Sequence, residues 1–225
     1  MKKLVMLLYF IILPAPVLAA STTVCHCFKD RSFDSANPGK SDEYLLATTQ
    51  NSFLAAVFNI DKKYVVKTKM SGGSGTDLWI AHFLAQKTGI NAQKLISDRR
   101  TAGSWKSVVS QNKIEFSTLG EEFKTALTAG AADKRLAAVI ADQMLVARFN
   151  TKPAEIKKLR DSGANTKEVI LAAFLSLKSG HSSFNYYDSV AKIKSTWDIH
   201  LNSLGITAKE VELEIKKTMI LHAKS

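Results

Sequence analysis

Apolar side chains recur every three or four residues along most of the chain after about residue 40. This spacing places them on one face of an α-helix, and it is clearest in residues 77–88, 133–149 and 168–179. Gly, Ser, Thr and Asn residues interrupt the pattern where helices are expected to start and stop. The sequence therefore predicts about nine or ten helices, with residues 61–70 ambiguous between a helix and a short strand.

Capping residues set the expected helix boundaries. Ser41 is the predicted cap of a helix that runs to about residue 59, and Thr76 caps a helix that stops at Gly89. Gly130 is the predicted break in the stretch 117–149. Two pairs have the spacing of a capping box, in which a glutamate follows the cap by three positions: Asn165 with Glu168 and Thr207 with Glu210.

Two tracts of the chain echo each other, one beginning at Ser104 and the other at Thr196. Three pairs of apolar residues recur at the same offsets: Trp105 and Trp197, Ile114 and Ile206, Leu119 and Val211. A short helix, a tight turn and a second helix account for this pattern. Because such αα-hairpins bury faces that neither helix buries alone, we expect an all-α domain of stacked, helix-turn-helix-like units.

A DNA-binding helix-turn-helix is the less favoured interpretation of the second tract. The helix after its turn carries Glu210, Glu212 and Glu214, and these carboxylates would face the phosphates that such a helix approaches. Nucleic acid is therefore not an expected partner.

The first twenty residues have the organisation of a cleavable secretory signal peptide. Lys2 and Lys3 precede an apolar run over residues 4–13, which is too short to span a bilayer, and small residues follow at Ala19 and Ala20. We expect cleavage after one of these alanines, with an uncleaved anchor as the alternative. The mature chain is then periplasmic or extracellular, and we expect no later segment to cross a membrane.

Composition divides the chain into a signal peptide, an irregular Cys-containing arm and a helical domain, at residues 1–20, 21–41 and 42–225. The segment 71–75, SGGSG, is the predicted flexible link between two sub-units, 42–70 and 76–225. The same segment precedes a helix start, where its alternative role is to cradle an anion. It lacks the spacing and the lysine of a phosphate loop.

Basic residues outnumber acidic residues by 31 to 20, which gives a net charge of +11, or +9 without Lys2 and Lys3. An exported cationic protein attracts anionic lipids, cell-wall polymers or acidic polysaccharide. The alternative is that the lysines lie on solvated helix faces and have no partner.

Cys25, His26 and Cys27 form the most unusual short motif, and they include both cysteines of the chain. Export into an oxidising compartment favours a disulfide between Cys25 and Cys27, although a bridge between residues two apart is strained. Two thiolates and an imidazole would alternatively bind a soft metal ion, but no fourth ligand is evident nearby. Pairing of each thiol with another chain is the third interpretation.

Catalytic and cofactor motifs are absent from the sequence. It contains no His-Glu-x-x-His, no Gly-x-Ser-x-Gly and no phosphate loop. Glu121 and Glu122 diverge on a helix, and Asp198 and His200 lie two residues apart, so neither pair predicts a catalytic dyad. His82 is expected to have a structural role.

The stretch CHCFKDRSFD, followed by LATTQNSFLAAVF and SGGSGTDLWIAHFLA, resembles the start of a group of uncharacterised exported bacterial proteins. The resemblance covers about the first sixty residues of the mature chain. It implies export and a helical structure, and it transfers no activity and no functional residue to this chain.

These observations predict an exported helical binding module at the cell envelope, with a basic, partly concave surface for an anionic or protein partner. A metal- or redox-linked accessory protein that uses Cys25, His26 and Cys27 is the alternative. A cell-wall hydrolase is a third class, and it would need two carboxylates from distant parts of the chain to converge.

The disulfide is tested on the secreted, purified chain. We expect an intact mass that corresponds to a start at Ala20 or Ser21 and that is two hydrogen atoms lighter than the reduced form. A thiol alkylator should add no mass until a reductant has been applied. Alkylation of both cysteines without reductant would rule out the bridge, and a Cys25→Ser, Cys27→Ser double variant controls for labelling elsewhere.

Overall fold

The computed structural model describes residues 38–222, and every regular element in that part of the chain is helical. These residues form twelve α-helices: α1 (Pro38–Val57), α2 (Lys62–Met70), α3 (Gly75–Thr88), α4 (Ala92–Ala102), α5 (Trp105–Gln111), α6 (Glu121–Thr128), α7 (Asp133–Phe149), α8 (Pro153–Asp161), α9 (Thr166–Ser179), α10 (Ser183–Ala191), α11 (Trp197–Ser203) and α12 (Val211–His222). A 3₁₀ turn, Phe116–Leu119, lies between α5 and α6. The predicted all-α fold of stacked helix pairs is confirmed. None of these helices is both long and apolar enough to cross a membrane.

Two of the first helices differ from the sequence prediction. α1 begins at Pro38 rather than next to Ser41, because the first helical position leaves its N–H unpaired and proline has none to lose. Residues 61–70 are helical: the Asp61 side chain caps α2 by accepting a hydrogen bond from the backbone N–H of Lys63 at 2.8 Å. The strand alternative for this segment was therefore wrong.

The glycine-rich segment 71–75 is a hydrogen-bonded turn rather than a free linker. The N–H of Gly73 donates to the carbonyl of Thr68 at 2.9 Å, and the Ser74 hydroxyl caps α3 by accepting from the N–H of Asp77. A Cβ atom on Gly73 would lie 2.7 Å from the Thr68 side chain and 2.8 Å from its carbonyl oxygen. Glycine is needed there because the turn brings α2 and the start of α3 into close contact.

The two predicted capping boxes have different outcomes. At α9 the box is complete, because the Asn165 side chain accepts from the N–H of Glu168 and the Glu168 carboxylate accepts from the N–H of Asn165. Before α12, the Glu210 carboxylate accepts from both the N–H and the hydroxyl of Thr207. The hydroxyl is thus turned toward the carboxylate, and α12 begins only at Val211.

The helix α9 is the most deeply buried element. Its residues 169–175 are all buried, which is the pattern of a helix covered on every side. It packs against α1, α7 and α10, and α7 packs in turn against α3. Since α1 also packs against α12, the helices before and after the turn at 71–75 share one hydrophobic core.

Four aromatic side chains from four helices meet in this core: Phe53 of α1, Trp79 of α3, Phe149 of α7 and Phe174 of α9. The Phe53 ring centre lies 4.9 Å from that of Phe149 and 6.1 Å from that of Trp79. The Phe149 and Phe174 ring centres are 6.2 Å apart. Tilted aromatic pairs at these distances attract each other beyond the gain from burial, so the cluster fixes the four helices relative to one another.

One kind of turn recurs between consecutive helices. A residue with positive φ ends the first helix, and the next residue donates its N–H to the carbonyl five positions back. The two tracts that echo each other in the sequence share this turn. Ile114 bonds to Val109 at 3.0 Å, and Ile206 bonds to Leu201 at 3.1 Å. The predicted near-repeat is confirmed as a repeat of local structure, since Trp105 and Trp197 also begin α5 and α11 at equivalent positions and are both buried.

The start of α11 is capped by a residue far away in the chain. Both carboxylate oxygens of Asp42, in α1, accept backbone N–H groups of α11, from Trp197 and Asp198, each at 3.1 Å. A negative charge at this position also interacts favourably with the positive end of the α11 dipole. Asp42 therefore ties the first described helix to the last quarter of the chain.

Replacing the Asp42 carboxylate tests its role as the cap of α11. We expect Asp42→Ala to lower the free energy of unfolding by about 1–2 kcal/mol, because two N–H groups of a partly buried helix start lose their acceptor. Urea denaturation followed by circular dichroism measures the change. Asp161→Ala, which removes an exposed ion pair with Lys157, is the matched control and should change stability by less than about 0.5 kcal/mol. Equal effects of the two substitutions would contradict the capping role.

Candidate anion-binding site

The N-terminal ends of α3 and α9 border a cavity of about 460 Å³, a size common among small-molecule sites. Its inner wall is apolar and its rim is polar. The wall is formed by Leu46, Trp79 and Ala137. The rim is formed by Glu43, Gln50, Lys69, Ser74, Gly75, Thr76, Lys134, Asn165, Thr166 and Lys167. α1, α2, α3, α7 and α9 all contribute, so the cavity exists only when these helices are packed together.

Three lysines dominate the charge of the cavity. Lys69, Lys134 and Lys167 stand against the single carboxylate of Glu43 among the lining residues, which gives a net charge of +2. Within residues 38–222, none of the three lysines forms an ion pair. Ten ion pairs occur elsewhere in that part of the chain, and the three lysines of the cavity are not among them.

Lys69 is the most perturbed of these lysines. Its ammonium donates a hydrogen bond of 2.6 Å to the Oδ1 atom of Asn51, which is a neutral acceptor. Burial, together with repulsion from Lys167, lowers the pKa of Lys69 to about 8. The shift shows that the surroundings do not compensate the charge of this ammonium.

The start of α3 lies against Lys69. A Cβ atom added to Gly75, the first residue of α3, would lie 3.0 Å from Cε and 3.5 Å from Nζ of Lys69. Glycine at this position therefore leaves room for the lysine next to the positive end of the α3 dipole. A cation at that end is electrostatically unfavourable, and an anion there is favoured.

Backbone N–H groups add to the positive character of the rim. The first residues of α3, Gly75 and Thr76, and the first residue of α9, Thr166, have N–H groups with no acceptor within the described part of the chain. All three residues line the cavity. Unpaired N–H groups at helix starts, combined with ammonium groups, form the donor set that binds phosphate or carboxylate.

A second, larger cavity of about 1090 Å³ lies between α6, α7 and α8 and differs in its lining and in the pairing of its charges. Its lining is mainly apolar, with several alanines. Its most enclosed cation, Arg160, is paired with Asp142 through two hydrogen bonds of 2.6 and 3.2 Å. Since this guanidinium already has its anion, the second cavity has no comparable demand for an anionic ligand.

A serine and a histidine, Ser189 and His200, also meet near the start of α11, but the second hydrogen bond of the hydroxyl disfavours a serine nucleophile. The Ser189 Oγ atom lies 2.7 Å from Nε2 of His200 and donates to the Tyr186 carbonyl at 2.8 Å. While the single hydroxyl proton is in that bond, Nε2 is the donor in the Ser189–His200 bond. A serine nucleophile requires the reverse, in which Nε2 accepts from the hydroxyl. Burial lowers the pKa of His200 and disfavours its cation.

The residues that the sequence singled out for chemistry fall into two groups. Cys25, His26 and Cys27, and the signal peptide, lie outside the described residues. His82 has a structural setting, since its ring lies between Phe58 and Tyr64 at 6.0 and 5.9 Å and burial lowers its pKa. Within residues 38–222, no group of three His, Cys, Asp or Glu side chains is placed to share a metal ion.

The lysines of the cavity were missed in the sequence. Lys69, Lys134 and Lys167 are 33 to 98 positions apart and look like other surface lysines there. The one usable signal was the SGGSGT segment before α3, for which a linker was the favoured interpretation. Its Ser74, Gly75 and Thr76 line the cavity.

Comparisons of the chain with protein-family models, curated proteins and solved structures found no match. The resemblance of its N-terminal region to exported bacterial proteins therefore stays a prediction. The function of the cavity is inferred from its geometry and charge.

Removal of the Lys69 charge tests whether this ammonium lowers the stability of the fold for lack of a negatively charged partner. A shift from 10.5 to about 8 means that the ammonium destabilises the fold by roughly 3 kcal/mol at neutral pH. Since methionine leaves Asn51 without its donor, we expect a net gain of about 1–2 kcal/mol for Lys69→Met at pH 7. Because the pKa of Lys69 is lowered, its destabilisation of the fold decreases as the pH rises. The destabilisation is full below pH 8 and disappears as the pH rises toward 10.5.

Urea denaturation at pH 7 and pH 10 measures both effects. The advantage of Lys69→Met over the unmodified chain should shrink at the higher pH. Lys67→Met, on the exposed face of the same helix, is the matched control and should change little at either pH. A loss of stability in Lys69→Met at pH 7 would mean that the charge is compensated.

Proposed function

We propose that this chain is an exported helical binding module whose lysine-lined cavity takes up a small anionic ligand at the cell envelope. The observation that carries the proposal is the partly buried ammonium of Lys69, which has no ion pair within the described residues and has Lys167 in the same cavity. Protein folds pair or expose their charges, because a partly buried charge without a partner raises the free energy of the fold. A ligand with a carboxylate or phosphate group supplies the missing partner.

The donors are of two kinds, and both suit an anion. The ammonium groups of Lys69, Lys134 and Lys167 supply charge, while the starts of α3 and α9 supply N–H groups and the positive ends of two helix dipoles. These donors are held by the packed helices before any ligand arrives. A pre-organised site loses little conformational entropy when it binds.

The shape of the cavity narrows the ligand class further. Leu46, Trp79 and Ala137 provide an apolar wall opposite the charged rim. A ligand that combines one anionic group with an apolar or aromatic part fits both surfaces, as small-molecule sites generally require. The concave form favours a small molecule over an extended polymer.

The net charge of +9 on the mature chain supports the same proposal at longer range. A cationic protein in the envelope is surrounded by anions and concentrates them near its surface. The alternative of a metal- or redox-linked accessory protein rests on Cys25, His26 and Cys27, and it stays a prediction. A hydrolase is less favoured, because the nearby carboxylates already have structural partners. Asp42 accepts backbone N–H groups at the start of α11, and Asp198 accepts a hydrogen bond from the Asn202 side chain.

Calorimetric titration with phenyl phosphate tests the proposal. We expect saturable binding that weakens as salt is raised and that is tighter than for inorganic phosphate, since the phenyl ring reaches the apolar wall. Lys167→Gln should weaken binding about tenfold, the equivalent of one charged hydrogen bond.

The matched control for this titration is Lys209→Gln, which removes an exposed lysine remote from the cavity lining. It should leave the affinity within about twofold, as expected for a surface charge. Equal affinity in the Lys167→Gln and Lys209→Gln variants would locate binding elsewhere, and no binding of phenyl phosphate would contradict the proposal.

A further inference from the structure

We infer that Lys69 is an imine-forming amine that reacts with the carbonyl group of a small α-oxo acid bound in the same cavity. The inference rests on the proposed function, and it adds a class of ligand and a chemical step. It follows from the hydrogen bond of the amine to Asn51 and from its position beside the first residue of α3.

The amine of Lys69 is placed as a nucleophile in a binding cavity should be. Its stem belongs to the last turn of α2, and its Nζ lies beside the first residue of α3. Within residues 38–222, Nζ donates to the Oδ1 atom of Asn51, which accepts one N–H and leaves the rest of the nitrogen available to a ligand in the cavity. Asn51 therefore orients the amine without charging or blocking it.

Burial and the positive charge of Lys167 favour the neutral amine of Lys69. Lys167 and Lys134 are positive, and Glu43 is the carboxylate among the lining residues. With a pKa of about 8, roughly one Lys69 in ten is neutral at pH 7, against about one in three thousand for a free lysine. A lysine beside a second cation in a partly desolvated site is the arrangement that activates amines toward carbonyl compounds.

The position of the amine beside Gly75 limits which ligand can react with it. The N–H groups of Gly75 and Thr76 take the anionic group, and Nζ of Lys69 lies against Gly75. The carbonyl carbon must therefore be adjacent to the anionic group, as it is in an α-oxo acid. The remainder of the ligand lies on the apolar wall of Leu46, Trp79 and Ala137.

The step balances without any further reactant. The neutral Nζ atom attacks the ketone carbon, a C–N bond forms as the carbonyl π bond breaks, and a proton passes from the nitrogen to the ketone oxygen to give a carbinolamine. The nitrogen then gives up its second proton as the C–O bond breaks, the oxygen leaves as water, and an imine remains. No electron is gained or lost.

Reductive trapping tests the inference. The full mature chain is incubated with phenylpyruvate and cyanoborohydride, which delivers hydride to the imine carbon and makes the bond permanent, and the modified lysine is located by peptide mass analysis. We expect labelling of Lys69 at least about tenfold faster than of any other lysine, with a rate that rises between pH 6 and pH 8. Phenyllactate, which has the carboxylate but no ketone, should compete and should not be trapped.

Lys69→Arg keeps the positive charge and cannot form an imine. We expect it to give no trapped product at the cavity, and circular dichroism checks that the variant keeps its helical structure. Trapping spread evenly over surface lysines, or trapping at Lys167, would overturn the inference while leaving the phenyl phosphate titration to decide the proposed function. Absence of both trapping and phenyl phosphate binding would overturn the two together.

Discussion

The contact among Phe53, Trp79, Phe149 and Phe174 is the interaction on which the rest of this structure depends. It joins α1, α3, α7 and α9 through rings that are almost completely buried. These four helices supply most of the cavity, and Trp79 belongs to both the cluster and the cavity wall. The position of the two helix starts around the lysines is therefore fixed by aromatic packing some distance from the charges.

Unpaired charge and partial burial occur together in this cavity. Several partly buried cations elsewhere are paired, as Arg160 is with Asp142 and Lys178 is with Glu214. Around Lys69 the fold instead keeps ammonium groups and helix starts together without a matching anion. Such an arrangement reduces stability, and sites that bind or react are where proteins retain it. The buried aromatic cluster that Trp79 forms with Phe53 and its neighbours offsets this loss of stability.

Local signals account for most of the helix boundaries. The capping box at α9, the stop at Gly89 and the break at Gly130 are short-range features, and each was predicted from neighbouring residues. The start of α12 was predicted less well, because the Thr207 hydroxyl donates to the Glu210 carboxylate at 2.7 Å instead of capping the helix. The identity of α2 was ambiguous from its pattern, since burial in α2 involves mainly Val65 and gives little periodic signal.

The sequence by itself determined the all-α class, the near-repeat beginning at Trp105 and Trp197, and the overall positive charge, because periodicity, capping and composition are local or summed properties. Only the tertiary structure decided that the SGGSGT segment borders a cavity and that Asp42 caps α11. It also decided that Lys69 and Lys167, nearly a hundred positions apart, line one cavity. The physical reason is that uncompensated charge depends on what surrounds a side chain, and those surroundings come from the packing of five helices.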